Sequence, residues 1–377
     1  MPGLSIPHTK NFGAKSPGTV RSGAKYRGLQ KGRMGERAYA YAKACGIIGK
    51  SFVGKRIKIL ENVNRLSELD RMVFPEAPQN LPEKELLVKL EDRIIDRAVD
   101  SIISIVDCFS RPPEFLSLLI RSYEYTDLKN ALISFLDNDK SAPSHTDIGH
   151  FQTVHFEKWP DVRGMIEGTE FSFLLDINKI LKEKQETMSL QSAMDRHYYS
   201  ALWESLLSLP GKDRYAAEKI LSAEISLRNA GWALRLRTYY EMPNDKVKRH
   251  LIDIPLGNEK SRKTAKPRTL AEEALECLEF PLDNYASWSS WHWKEFLNPD
   301  TTGRFWQVDP RHFQNAASRY LAHLARRYFR LNPFSMDSIF CFIKLKQFEE
   351  DILTSSVEGL GMGMSGRDIV SMLGVEL

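Results

Sequence analysis

The chain has 377 residues, 42% of them hydrophobic and 27% charged, with a formal net charge of +4. That length allows two or three domains, and the composition fits a soluble globular protein rather than a largely disordered chain. No stretch approaches the ~18 to 20 uncharged apolar residues of a spanning helix. The four cysteines, Cys45, Cys108, Cys277 and Cys341, are scattered without a C-x-x-C pair, so neither a disulfide framework nor a zinc ribbon is indicated and a reducing compartment is the default.

Residues 1–33 carry Lys10, Lys15, Arg21, Lys25, Arg27, Lys31 and Arg33 and no acid, which leaves the rest of the chain slightly acidic. With its Gly, Ser and Pro content this tail offers too little apolar surface to offset the entropy of ordering, and it reads as disordered. It lacks the continuous apolar run of a secretory signal.

From Glu36 onward the period is helical. After Pro82, the apolar residues Leu87, Leu90, Ile94, Ala98, Ile102, Ile105 and Phe109 recur at three- and four-residue steps, with Glu83 and Glu85 in the first turn and Arg111-Pro112-Pro113 as the stop. A second helix is predicted from Pro113-Glu114 through Leu116, Leu119, Tyr123, Leu132 and Leu136 to the loop at Asn138. A third is predicted over 213–241, with Asp213 as N-cap and a stop at Met242-Pro243. A fourth runs over 335–357, starting at Ser335 and ending at Gly359. Ser365 and Asp368 make a capping-box-like start for a short terminal helix. Alternating strand patterns are nearly absent, so the predicted class is all-α.

Three breaks interrupt the helices: 138–168, 253–269 with its cations Lys260, Arg262, Lys263, Lys266 and Arg268, and 298–312. They divide the chain into a tail at 1–33 and helical blocks at 34–140, 141–252 and 253–377. A weak internal repeat matches Ser122, Glu124, Thr126 and Leu136 with Ser222, Glu224, Ser226 and Leu236.

Four features invite a chemical reading. Ala44-Cys45-Gly46-Ile47-Ile48-Gly49-Lys50-Ser51 fits a loose phosphate-loop pattern, but that chemistry needs a strand before the loop, and the preceding Ala-rich run reads as helix. His145, His150 and His155 are five apart, which puts them on no common helix face and leaves a solvated loop as the reading. The glycine run at Gly359, Gly361, Gly363 and Gly366 follows a helix, so it reads as a turn and not as a dinucleotide fingerprint. Trp288, Trp291, Trp293, Phe296, Phe305 and Trp306 read as core packing, the competing reading being a stacking platform for bases. No catalytic, cofactor or metal-binding constellation emerges, and none is assigned.

The C-terminal block is more specific. Asn332-Pro333-Phe334, then Ile339, Phe342-Ile343, Leu345-Lys346-Gln347 and Glu349, then Val357-Glu358-Gly359, resembles the closing signature of the central-stalk subunit of V-type and A-type rotary ATPases, called d in vacuolar and C in archaeal and bacterial enzymes. Tyr39-Ala40-Tyr41-Ala42-Lys43 is similar to that family's opening helix, and Tyr123-Glu124-Tyr125-Thr126-Asp127-Leu128-Lys129 to its Y-E-x-x-N-L-K segment. Glu224 to Arg237, with Arg228-Asn229 and Arg235, is similar to its second helical repeat. Asp127, Gln347 and Ile352 depart from the family's usual Asn, Glu and Asn, and the basic tail is additional. The resemblance implies three similar helical bundles arranged as a funnel and no catalytic residues or cofactor. It also implies a peripheral place on the cytoplasmic face of a membrane, between the proteolipid ring and the central axle. A phosphate-loop nucleotide binder using Ala44 to Ser51, and a helical nucleic-acid binder using the tail, are the alternatives.

Overall fold

The computed structural model describes residues 33–137, 139, 141–176, 186–256, 268–301 and 305–373. The predicted tail, apart from Arg33, lies outside the described residues, as do Asn138, Lys260, Arg262, Lys263 and Lys266. Among the described residues there is no strand, only an isolated bridge between Pro255 and Thr269. The protein is all-α.

Twelve α-helices follow one another in the described chain: α1 (Arg33–Ile48), α2 (Leu66–Val73), α3 (Glu83–Val106), α4 (Glu114–Leu136), α5 (Val162–Ile166), α6 (Glu186–Leu207), α7 (Tyr215–Tyr239), α8 (Asn244–Lys248), α9 (Glu272–Cys277), α10 (Pro310–Leu331), α11 (Met336–Gly361) and α12 (Gly366–Leu373). Prolines precede α3 and α4, and acids fill their first turns, where they oppose the partial positive charge of the free N–H groups. Ser335 caps α11 by accepting from the Ser338 N–H at 3.2 Å. The Ser365 hydroxyl donates to Asp368 at 2.6 Å while accepting from the Asp368 N–H, a reciprocal start for α12.

Two predicted boundaries move. Asp213 does not cap α7: it closes a 3₁₀ turn, and its carboxylate is gripped by both Nη atoms of Arg37 at 2.9 and 3.0 Å. The free N–H groups at the start of α7 are met instead by Asp337, whose two oxygens accept from Ala216 and Ala217 at 3.1 and 2.9 Å. A cap supplied 120 residues away has no local signature. Helix α11 also continues past Gly359 to Gly361. The side chain of Ile369 fills the space a Cβ at Gly359 would need, and Leu87 does the same at Gly361, so these glycines mark close packing of α12 and α3 on α11. Two long helices, α6 and α10, have no counterpart among the helices read from sequence. The start of α10, inside the predicted break 298–312, has Asp309 accepting from the Arg311 N–H and Pro310 in its first turn.

Three apolar clusters form the interior. The first gathers α1, α3, α4 and α6 with the starts of α7 and α11 and the end of α10. The second holds the rest of α7, Val247 and Leu251, and side chains between Ala271 and Ala317, including buried Trp288, Trp291, Trp293 and Trp306. The third packs Phe52 to Ile94 against Ile352, Leu353, Val357 and α12. Individual helices belong to two clusters at once. Ile225 and Leu227 of α7 lie in different clusters, as do Leu345 and Ile352 of α11, and Phe313 and Phe329 of α10.

Candidate functional site

Where α4, α6, α7, α10 and α11 face one another they leave a recess of about 530 Å³. Its wall is charged. Lys129 of α4 and Arg228 of α7 both bind Asp195 of α6, the Arg228 Nη2 to Asp195 Oδ2 distance being 2.9 Å. One turn along α6 and α7, Lys344 of α11 donates to Glu224 of α7 at 2.8 Å, and the Tyr199 hydroxyl donates to the same carboxylate at 3.2 Å. Arg228 also lies 5.4 Å from the centre of the Tyr199 ring. Arg235, exposed on α7, and Asp351 of α11 complete the charged lining.

These contacts fix the charge states. Burial works to raise the Asp195 carboxyl, but Arg228 and Lys129 outweigh it and hold it below the usual carboxylate range. The Asp351 carboxyl, exposed at the edge of the recess, is pushed upward by the atoms packed beside it and by Glu224, with Lys344 opposing the rise. The recess therefore presents ordered cations and anions together. Such a surface suits a partner of mixed charge.

Lys129, Glu224, Arg228, Asn229 and Arg235 of the family-like motifs line this recess, as does Gln347 of the closing motif. Tyr39, Tyr41, Tyr123, Glu124, Asp127, Leu128, Asn332, Pro333, Phe334, Lys346, Glu349 and Gly359 lie apart from it. Asn229 is also a buried brace, its amide donating to the carbonyls of Ile252 and Leu270 and accepting from the Ile252 N–H. Glu124 is buried and accepts from the backbone of Thr153 and Val154, while Asp127 accepts from Thr146 at 2.7 Å. Together they tie the long connection after α4 back onto that helix. Leu128 is in the first cluster. The Tyr123 hydroxyl donates to Glu350 at 2.5 Å, and burial raises that carboxyl to about 8.

Lys346 and Glu349 form a buried ion pair one turn apart on α11, and Glu349 also accepts from Arg97 at 3.0 Å and the Phe52 N–H at 2.7 Å. Burial acts against both charges. With two cations and a backbone N–H around it, the Glu349 carboxyl nonetheless stays below its ordinary range. Tyr41 meets the rings of Phe329 and Phe334 at 5.3 and 5.4 Å, Tyr39 is exposed, the Asn332 amide reaches the Lys212 carbonyl at 3.5 Å, and Pro333 is exposed in the turn before α11. Sequence reading did not single out Asp195, Tyr199, Lys344 or Asp351. Asp195 and Tyr199 sit on α6, which carried no flanking signal, and only the crossing of helices brings all four together.

The glycine run packs α12 and α3 on α11, and the other three features that invited chemistry are structural as well. Ala44 to Ser51 is the end of α1 and a turn, so a helix and not a strand leads into it; Ser51 is buried and its hydroxyl donates to the Ile47 carbonyl. His145 stacks on Phe156, His150 lies 3.5 Å from Asp107 and His155 3.3 Å from Glu157, so the three do not converge. The Trp side chains are core, with indole N–H groups donating to Pro281, Glu273, Ser226 and Asn298, whereas Phe305 is 80% exposed. Among the described residues no group of three or more His, Cys, Asp or Glu is placed to hold a metal ion, and no helix is long and apolar enough to cross a membrane.

Comparison with known proteins places the chain. It is 29% identical over 315 residues to an uncharacterized protein of Treponema pallidum (strain Nichols), a match covering 82% of this chain and 88% of that protein. Residues 77–372 match the family described as ATP synthase (C/AC39) subunit. The match runs from just before α3 to α12 and takes in the recess and the ion pair of α11. This chain belongs to the ATP synthase (C/AC39) subunit family.

Proposed function

We propose that the protein is a non-catalytic central-stalk subunit of a V/A-type rotary ATPase, coupling the central axle to the membrane proteolipid ring during proton or sodium transport. The observation that carries this reading is the charged recess, in which Lys129, Glu224, Arg228, Asn229 and Arg235 converge inside the segment that matches the family. In this reading the recess receives the end of the axle. Its ion pairs are already formed, so a partner of mixed charge meets oriented groups and little ordering entropy is lost on docking. Torque needs a stiff adaptor, and helices shared between apolar clusters supply one because close-packed interiors resist compression. The helical units at 34–140, 141–252 and 253–377, set as a funnel, belong to the same proposal, as does a peripheral location on the cytoplasmic face.

The test is co-purification of the chain with axle and ring subunits, then replacement of the gene by an Arg235→Glu variant. Arg235 is exposed, so the substitution should leave the thermal midpoint unchanged while lowering axle affinity by about tenfold, as expected when a charge at a complementary interface is reversed. Deleting the subunit should separate ATP hydrolysis from ion movement or prevent the two sectors from assembling. A fully coupled enzyme in the deletion strain would refute the assignment. Binding of magnesium ATP that Lys50→Ala abolishes would favour a nucleotide binder instead.

A further inference from the structure

One end of the molecule, where α6 and α10 stop and α7 and α11 begin, carries apolar side chains that no described element covers. Leu207, Tyr215, Leu331 and Phe334 are 41, 57, 61 and 44% exposed. Contacts along this end make them neighbours. Arg214, beside Tyr215, donates to the Leu207 carbonyl at 2.6 Å, the Tyr215 ring meets Tyr328 on α10 at 6.4 Å, and the Asn332 amide reaches the Lys212 carbonyl at 3.5 Å. Phe334 holds a left-handed backbone, φ 66°, an uncommon and costly conformation for a non-glycine residue. Its ring meets Tyr41 edge-to-face at 5.4 Å, and nearly half of the residue is open.

The charges around this surface are mostly basic, although Glu204 is exposed on the last turn of α6. Segments 207–219 and 327–334 contain Lys212, Arg214, Lys219, Arg327 and Arg330 against two acids, Asp213 and Glu218. Asp213 is held by Arg37, and Glu218 lies 3.4 Å from Arg214. Lys212, Lys219, Arg327 and Arg330 are exposed, with the Lys219 ammonium 4.5 Å from the Tyr215 ring. The described chain also enters at this end: Arg37, on the first turns of α1, bonds Asp213, and Met34 is 70% exposed. The 32 residues before α1 add six more cations and no acid.

Exposed aliphatic and aromatic side chains among unneutralised cations have a specific complement. A protein partner of mixed charge would find a single accessible acid in these segments, Glu218, which already faces Arg214 at 3.4 Å. A nucleic acid would gain nothing from Leu207, Leu331 or Met34, which offer no stacking face. Anionic lipid satisfies both components, since aromatic rings and aliphatic side chains settle at the headgroup level while Lys and Arg meet phosphate.

We infer that this helix-end face seats on the anionic surface of a lipid bilayer, with Leu207, Tyr215, Leu331 and Phe334 entering the headgroup layer and Lys212, Lys219, Arg327 and Arg330 contacting phosphate. The inference does not depend on the axle reading of the recess. It is tested with the full chain by co-sedimentation with phosphatidylcholine vesicles with and without phosphatidylglycerol. The full chain should sediment with the anionic vesicles and far less with the neutral ones. Lys212→Glu/Arg330→Glu should lower partitioning by at least about tenfold, given the contribution of each basic residue near an anionic surface. Tyr215→Ser/Leu331→Ser should lower it several-fold. Lys84→Glu/Lys89→Glu, an equal charge change on the exposed face of α3, should leave it unchanged, and all three variants should keep the parent's circular dichroism. The inference is overturned if both variants of this face bind like the parent, including the case where only removal of residues 1–32 abolishes binding. It is overturned equally if vesicles bind nothing while detergent-solubilised membrane protein captures the chain through the same residues, which would make the partner a protein.

Discussion

At the scale of single residues, the buried Glu349 and the half-buried Glu350 of α11 carry opposite consequences for pH. Glu349 is surrounded by Lys346, Arg97 and the Phe52 N–H, and its pKa is depressed despite burial. Its stabilising contribution is therefore present above the ordinary glutamate range and is lost as pH falls through the folded-state value. Glu350, one residue on, is raised by burial from 4.5 to about 8, so its contribution favours the protonated form and declines as pH climbs between those values. Two measurements separate them. Glu349→Ala leaves Lys346 buried without its partner and should cost about 3–5 kcal/mol in denaturant unfolding at neutral pH. Glu350→Gln keeps an acceptor for Tyr123 and should raise the thermal midpoint near pH 8 with little effect at acid pH. An unchanged midpoint at pH 8 would place the Glu350 charge elsewhere.

At the scale of elements, glycines within helices have unlike environments. A Cβ at Gly366 would lie 2.1 Å from the Leu60 carbonyl oxygen and 2.3 Å from that of Val63, both backbone atoms with no room to yield. Gly366→Ala should displace α12 from the third cluster and destabilise the protein by about 1–3 kcal/mol or more, the cost of overpacking. Hydrogen exchange of the α12 amides gives the readout. Gly46, inside α1, has open space for 4 Å around the point a Cβ would occupy, so Gly46→Ala should stabilise by up to about 1 kcal/mol through helix propensity. Asp337 supplies a third case. Its carboxylate satisfies two N–H groups at the start of α7, and Asp337→Ala should cost about 1–3 kcal/mol, with early exchange confined to the first turn of that helix.

At the scale of the whole molecule, α7, α10 and α11 each take part in two clusters, so loosening one cluster loosens the next. Phe340 is fully buried in the first cluster and stacks on Phe115 at 5.4 Å. Phe340→Ala should cost about 3–5 kcal/mol. Trp288, Trp291, Trp293 and Trp306 lie in the second cluster and Trp203 in the first, so tryptophan fluorescence should follow far-UV circular dichroism in a single unfolding transition. A tryptophan transition separated from the helical one would show the clusters to be independent and would weaken the case for a stiff adaptor.

The all-α class, the start of α3, the bounds of α4, the Ser335 cap and the reciprocal start of α12 were legible in the chain because each rests on residues a few positions apart: an apolar period, a flanking proline, a hydroxyl three residues before its partner; α3 ends at Val106, short of the predicted Phe109. The motif residues Lys346, Glu349 and Asn229 were legible as types in a pattern, though not as braces. What decided the rest was contact between distant segments. Asp337 caps a helix that precedes it by some 120 residues, Asp213 is held by Arg37 instead of capping locally, and Asp195 enters the recess from α6, whose narrow stripe of Leu190, Met194, Tyr198, Leu202 and Leu206 carried no capping signal in the described chain. A recess is made of the faces helices do not bury against each other, and which faces those are depends on how the helices cross. Periodicity along one helix specifies an apolar side, while the choice of neighbour for the polar side belongs to the tertiary structure alone.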